Sequence, residues 1–171
     1  GCTATDERNS FENDFYAGYK GKITDDLGYQ VGGTIYYYYP GWESTGYETF
    51  LGLSYKELTV TAQTLLNNVT FGNKGDTYFL ATYAPALPAG FTGKAQIGAY
   101  YYGDDDEYLA YQAKPGDVTK TDFAFRHATL GLSHPLGETG ATCSLDYIFG
   151  GYTRDETKQK NKVVLALGYA F

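Results

Sequence analysis

Few side chains in this sequence are of a type and spacing that could perform catalysis. His127 and His134 are its only histidines, and neither belongs to an HExxH metal motif or neighbours a nucleophilic serine elbow. No glycine-rich loop of the phosphate-cradling kind is present. Cys2 and Cys143 are too few for a disulfide scaffold and are not spaced as metal ligands. We therefore expect no enzyme, no catalytic residue and no cofactor; whether the two cysteines pair stays open.

An acidic run, Gly103-Asp104-Asp105-Asp106-Glu107, is the one cluster that invites a metal. Calcium prefers several carboxylate oxygens. An EF-hand, however, needs ligands at alternate positions, a central glycine and a distal glutamate, and the run lacks that spacing. The interpretation is a solvated acidic loop with no metal site, which would repel anions or attract cations.

Composition and charge restrict the class of protein further. The net charge of -7 argues against a nucleic-acid binder, which needs a basic surface for the phosphates. The 171 residues include 22 Gly, 19 Tyr and 10 Phe, a bias towards strands and tight turns. No apolar run approaches the roughly 18 residues of a membrane helix. The polar opening, without Met, predicts a mature or truncated chain.

Alternation of apolar and polar residues recurs along the chain and predicts β-strands. Several of the segments reach about ten residues, the length that a tilted strand needs to cross a bilayer. There are nine such segments: Asp14–Ile23, Leu27–Tyr39, Tyr47–Tyr55, Leu58–Leu66, Thr77–Ala84, Phe91–Tyr102, Phe123–His134, Ala141–Tyr152 and Lys162–Phe171. In the seventh segment Ala128, Leu130 and Leu132 share one side, but Arg126 and His134 fall on that side too.

The connections between these segments alternate short and long from the start of the chain. The short ones lie near Asp25, at Lys56–Glu57, at Pro85–Pro88 and from Pro135; the long ones begin at Pro40, Asn67, Gly103 and Thr153. Short turns at one end and long loops at the other are typical of outer-membrane barrels. The predicted fold is all-β, an antiparallel up-and-down transmembrane barrel in one domain (1–171), with 1–13 as a polar N-terminal segment and strands over 14–171.

Two sets of residues are predicted to have roles in such a barrel. Polar side chains opposite the apolar ones would line the lumen: Lys20, Lys22, Gln30, Lys94, Gln96 and Asp146. Aromatic rings near strand ends would form girdles at the membrane interfaces: Tyr37, Tyr39, Trp42, Tyr101, Tyr169 and Phe171. For the tyrosine clusters at 36–39 and 100–102 the alternative is a carbohydrate-binding platform.

Four stretches resemble the TorF family of outer-membrane porins of Gram-negative bacteria. They are DFYAGYKG (Asp14–Gly21), DDLGYQVGGTIYYYYPG (Asp25–Gly41), YETFLGLSYKELTV (Tyr47–Val60) and VVLALGYAF (Val163–Phe171). The resemblance is weak over Leu80–Thr121. It implies outer-membrane location, further strands before Asp14 and about twelve strands in all, and it carries no catalytic residues.

The expected function is passive diffusion of small hydrophilic solutes through a porin-like barrel in the bacterial outer membrane. Its expected partners are membrane lipid or detergent and such solutes, not nucleic acid. The alternative is a structural or self-associating outer-membrane or cell-surface β-protein without transport, pairing through open strand edges. A third reading is a soluble, secreted carbohydrate-binding β-protein.

Overall fold

The computed structural model describes residues 3–5, 10–39, 45–107 and 118–170. They form ten strands: β1 (Thr3–Thr5), β2 (Ser10–Lys22), β3 (Leu27–Tyr39), β4 (Gly46–Tyr55), β5 (Leu58–Leu65), β6 (Thr77–Tyr83), β7 (Thr92–Tyr101), β8 (Phe123–Pro135), β9 (Ala141–Gly150) and β10 (Lys162–Tyr169). One short 3-10 turn, Pro88–Gly90, lies between β6 and β7. In these ranges no helix is long and apolar enough to span a membrane.

The strands form one antiparallel sheet in which each strand pairs with its neighbours in the chain. β2 to β10 correspond to the nine predicted segments, so the all-β, antiparallel, up-and-down prediction is confirmed. Most strand boundaries agree with the prediction to within two residues, and the larger differences are at the N-terminus. β2 begins at Ser10 rather than Asp14, and the stretch taken as a polar N-terminal segment includes the short strand β1.

The sheet is open within the described ranges. β10 pairs with β9 alone, and β1 pairs with β2 alone. The closed barrel of the sequence prediction is therefore not present in this part of the chain, and both edge strands present backbone hydrogen-bonding groups without a strand partner.

The register sorts the side chains into two faces that run unbroken across the sheet. On one face, Tyr29 lies opposite Leu53 and Leu53 opposite Val60; on the other, Gln30 and Thr61 flank Gly52. Because successive side chains of a strand point to opposite faces, each pairing keeps apolar residues with apolar ones. We call these the apolar face and the polar face.

The exposure of the two faces is the reverse of that in a water-soluble sheet. Large side chains of the apolar face are open, with Leu165 73% and Leu145 54% exposed. The apolar residues that are buried in the described ranges are few: Leu65, Val69, Tyr102 and Ala124. Residues of the polar face are mostly half-buried, as the pattern of β4 shows. The sheet therefore curves towards its polar face, which is crowded, and leaves the apolar face open.

Candidate functional site on the polar face

The end of the polar face near the short turns carries the predicted lumen-lining residues. Lys20 lies opposite Gln30 in the β2–β3 pairing, and Lys22 follows on the same face. Lys94 and Asp146 form an ion pair of 2.6 Å between Nζ and Oδ2. All six predicted residues lie on the polar face; that this face lines a lumen stays a prediction. The sixth, Gln96, donates from Nε2 to Thr82 Oγ1 at 2.9 Å.

A glycine makes the Lys94–Asp146 pair possible. Lys94 and Asp146 lie on β7 and β9, both opposite Gly131 of the intervening strand β8. The Asp146 carboxylate occupies the space where a Cβ on Gly131 would stand. Because Gly131 has no side chain, two charged groups two strands apart can meet across it.

A β-bulge in β8 changes the orientation of Arg126. Gly98 pairs with His127, but the next residue, Ala99, pairs with Phe125, so Arg126 is the extra residue of the bulge. Simple alternation predicted Arg126 on the apolar side with Leu130 and Leu132, and that prediction is wrong. The bulge instead turns the Arg126 side chain into a cavity on the polar face.

This cavity lies at the long-loop end of the polar face and has a volume of about 280 Å³. Its charged lining consists of Glu48, Asp76, Arg126 and Arg154. Its further lining includes Gln63 and the aromatic residues Phe71, Tyr78, Tyr100 and Tyr102. The sequence prediction did not find this cavity, because its residues come from five strands and three loops that are far apart in the chain.

A stack of aromatic rings forms one wall of the cavity. Tyr100 and Tyr102 are parallel, with ring centroids 5.1 Å apart, and Tyr78 lies 4.9 Å from Tyr100. The guanidinium of Arg154 lies over the ring of Tyr102, 4.6 Å from its centroid. The Tyr78 hydroxyl forms a short hydrogen bond with Nε2 of His127. The aromatic rings of this wall thus pack against one another.

The tyrosine clusters divide between the two faces. Tyr36 and Tyr100 belong to the polar face, where the Tyr36 hydroxyl donates to Glu48 Oε1 at 3.3 Å. Tyr37 and Tyr101 point to the apolar face and are 40% and 49% exposed. For these clusters the sequence left an aromatic girdle and a carbohydrate-binding platform as alternatives. In the structure, alternate tyrosines of each cluster belong to different faces of the sheet.

Three long loops are joined by a buried polar cluster above the cavity. Arg154 forms an ion pair with Asp76, whose side chain is 4% exposed. Asn73, fully buried, donates from Nδ2 to the Gly103 carbonyl at 2.8 Å and to Asp106 Oδ1 at 2.7 Å. Asp76 precedes β6 and Arg154 follows β9, three strands away or about 14 Å along a flat sheet. The contact between them fixes the loop end of the curved sheet.

The acidic run is partly structural rather than fully solvated. Burial alone raises the pKa of Asp106, but hydrogen bonds from Asn73 and Thr119, together with the nearby Arg154 charge, outweigh it and hold the pKa below its ordinary value. Asp105 and Glu107 accept hydrogen bonds from Asn68 Nδ2 at 2.9 and 3.1 Å. In the described part of the chain, no three His, Cys, Asp or Glu side chains are placed to hold a metal ion.

Aromatic side chains of the apolar face concentrate near both ends of the strands. At the turn end lie Tyr29, Tyr55, Tyr83, Phe91 and Tyr169, and at the loop end Tyr37, Tyr39, Tyr47, Tyr101, Phe123, Phe125 and Phe149. Between them most of the exposed residues are aliphatic, although Phe15, Tyr19, Phe79 and Tyr147 are also exposed there; the aliphatic ones include Val31, Leu51, Val60, Ile97, Leu130, Leu145 and Leu165. The sequence prediction named four of these aromatics; Trp42 and Phe171 lie outside the described residues.

The spacing of the two aromatic belts can be read along single strands. Tyr47 and Tyr55 are eight residues apart in β4, or about 26 Å at roughly 3.3 Å per residue. In a membrane barrel whose strands tilt by roughly 40°, this length would correspond to about 20 Å along the barrel axis, close to the apolar band of about 25 Å of such barrels. Several belt positions, such as Tyr55 and Tyr83, show no clustering in the sequence and become visible only through the register.

The remaining chemistry-bearing side chains do not form a further site. Nε2 of His134 lies 2.8 Å from the Ala89 carbonyl, so this ring joins two short turns. Cys143 has a free thiol, and Cys2, its suggested partner, lies outside the described residues. Neither His134 nor Cys143 lines the cavity.

No family model, curated protein or solved structure matches this chain significantly. The resemblance to the TorF family therefore stays a prediction.

Proposed function

We propose that this chain forms most of an outer-membrane β-barrel of roughly twelve strands in a Gram-negative bacterium. The observation that carries the proposal is the inverted exposure of the sheet, with open leucines and valines on one face and charged residues on the other. Burying one such side chain is worth about 1.5–3 kcal/mol. A face of this extent therefore requires an apolar environment, and the two aromatic belts favour a bilayer over a protein partner.

The open edges support the same proposal. Unpaired backbone groups cost several kcal/mol each in lipid, so a sheet in a membrane has to close on itself. Both edges of the described sheet lack a strand partner among the described residues. Further strands that fill the gap between the two edge strands, β1 and β10, would pair with their free backbone groups. The family resemblance implies such additional strands.

The proposed activity is passive diffusion of small hydrophilic solutes through the space inside the curve. An eight-stranded barrel is filled by side chains and a sixteen-stranded one leaves an aqueous channel, so roughly twelve strands leave a narrow passage. Lys20, Lys22 and the Lys94–Asp146 pair would screen solutes at the turn end. The cavity with Glu48 and Arg126 lies at the loop end, which in barrels of this kind is extracellular.

Purification from detergent-solubilised outer membranes tests the location and the barrel. We expect a protein of intact mass above 18.8 kDa whose gel migration shifts on heating, since closed barrels resist unfolding in cold detergent. A protein of 18.8 kDa that stays monomeric without detergent would refute the proposal. Swelling of liposomes containing the protein, in sugars of increasing size, then tests the channel.

The second candidate is a self-associating surface protein without transport, which the open edges also favour. It predicts that the chain forms an oligomer of defined size. Heating this oligomer in mild detergent should not convert it to a monomer of different gel migration. It also predicts liposomes that remain impermeable to the smallest sugars.

A further inference from the structure

We infer that the loop-end cavity recognises a small zwitterionic solute, binding its carboxylate at Arg126 and its ammonium group at Glu48. The inference deepens the proposed function, because it names the class of solute that the passage would select. It is carried by the arrangement of four charged residues around one cavity of about 280 Å³.

Of the four charged side chains that line the cavity, two form an ion pair with each other and two do not. Arg154 and Asp76 form an ion pair that belongs to the loop cluster. Arg126 and Glu48 form no ion pair with any described residue, although both line the same cavity. Glu48 receives one hydrogen bond, from the Tyr36 hydroxyl.

Opposite charges that face a shared space without pairing favour a dipolar ligand. An anion would be attracted by Arg126 but repelled by Glu48, and a cation would meet the reverse. A neutral solute would displace water from both charges without replacing its interactions. Only a molecule with a positive and a negative end compensates both side chains at once.

The walls strengthen this selection. Tyr78, Tyr100 and Tyr102 line the same cavity as Glu48 and Arg126. The aromatic stack and Phe71 exclude water from part of the cavity, and a lower local dielectric makes charge interactions stronger. The guanidinium of Arg126 can hold a carboxylate through two parallel hydrogen bonds.

The size of the cavity limits the ligand. Sites for drug-sized molecules measure about 300–1,000 Å³, and this one is slightly smaller at about 280 Å³. It suits an amino acid or a dipeptide. A sugar is less suited, because stacking on a sugar needs an accessible ring face, and Tyr100 packs against both Tyr78 and Tyr102 while Arg154 lies over Tyr102.

Four forms of alanyl-alanine provide a matched set of probes for the full-length protein in liposomes. The free dipeptide is zwitterionic, its N-acetyl form an anion, its amide a cation, and the doubly blocked form neutral. We expect the zwitterion to enter roughly three- to tenfold faster than each blocked form, the range expected for a half-solvated charged hydrogen bond. Equal entry of all four forms would overturn the inference.

Two charge-removing variants identify the residues. In Glu48→Gln the zwitterion should enter no faster than the anion, because the partner of its ammonium group is lost. In Arg126→Gln it should enter no faster than the cation, because the partner of its carboxylate is lost. Glu138→Gln and Lys160→Gln, on exposed turns outside the cavity, are the matched controls and should leave the ratios unchanged. The inference would also be overturned if both cavity variants kept the wild-type ratio of entry rates between the zwitterion and the blocked forms. A heat-dependent shift in gel migration would confirm that these variants fold.

Binding separates this inference from the proposed function. If the wild-type liposomes admit none of the probes, transport fails, but equilibrium dialysis of the detergent-solubilised protein still measures binding of the four dipeptide forms. Preferential binding of the zwitterion, lost in both cavity variants, supports the site without a channel. Absence of any preference refutes it.

Discussion

Leu145→Arg, compared with Ser144→Arg, provides the sharpest test of which face meets lipid. The two residues are adjacent in β9 and point to opposite faces. Leu145 lies midway along its strand on the apolar face and is 54% exposed. Ser144 is half-buried on the polar face between Ser133 and Ala166, both small enough to leave room for an arginine.

The two environments predict opposite results for Leu145→Arg. An arginine at the middle of a bilayer costs a β-barrel about 2–4 kcal/mol, which lowers the folding equilibrium about 30- to 700-fold. In a water-soluble sheet an exposed Leu145→Arg would change stability by no more than about 0.5 kcal/mol. Ser144→Arg should cost little in either case, because Asp146 on the same face offers an opposite charge.

The assay is folding of urea-denatured protein into lipid vesicles, followed by the heat-dependent gel shift across a urea series. We expect the folding midpoint of Leu145→Arg to fall well below that of the wild type and Ser144→Arg to stay near it. Equal midpoints for the two variants, or a Leu145→Arg protein that folds in buffer without lipid, would refute the assignment of the apolar face to the membrane.

Three further predictions concern the polar cluster and a strand glycine. Arg154→Gln leaves a buried carboxylate without its partner, which costs about 3–5 kcal/mol, and should expose the long loops to added protease. The pKa of Asp106 is lower in the folded protein than in the unfolded chain, where it is about 3.9; its stabilisation is therefore complete above that value and is lost as pH falls through the folded pKa. The protection of loop amides from exchange, measured against the intrinsic exchange rate at each pH, should fall below about pH 4, and Asp106→Asn should remove that dependence. Gly131→Ala should clash with the Asp146 carboxylate and cost about 1–3 kcal/mol, whereas Gly168→Ala, with open space around it, should fold like the wild type in the same urea series.

Much of the fold could be predicted because its signal is local. The alternation in Leu27–Tyr39 or Leu58–Leu65 defines a strand and both of its faces within a few residues. Since neighbouring strands are joined by short turns or single loops, chain order also predicted the up-and-down pairing. The lumen-lining prediction followed from the same parity, and its residues share the polar face.

The cavity could not be predicted from alternation. A bulge adds one residue to β8 and turns Arg126 to the other face, and nothing around Phe125 to Ala128 marks that change in the sequence. The long-range partners of Asp76 and Asn73 lie 27 to 78 residues away along the chain. Such contacts depend on the curvature of the whole sheet.

The sequence by itself determined the strands, the two chemically different faces and the alternation of short turns with long loops. These depend on neighbouring residues and on the period of two along a strand. The tertiary structure decided which of the clustered tyrosines face inward, where Arg126 points, and that Arg126 and Glu48 share a cavity in which they do not pair. The physical reason is that register and curvature are set jointly by all the paired strands, so residues distant in the chain become neighbours only when the sheet has formed.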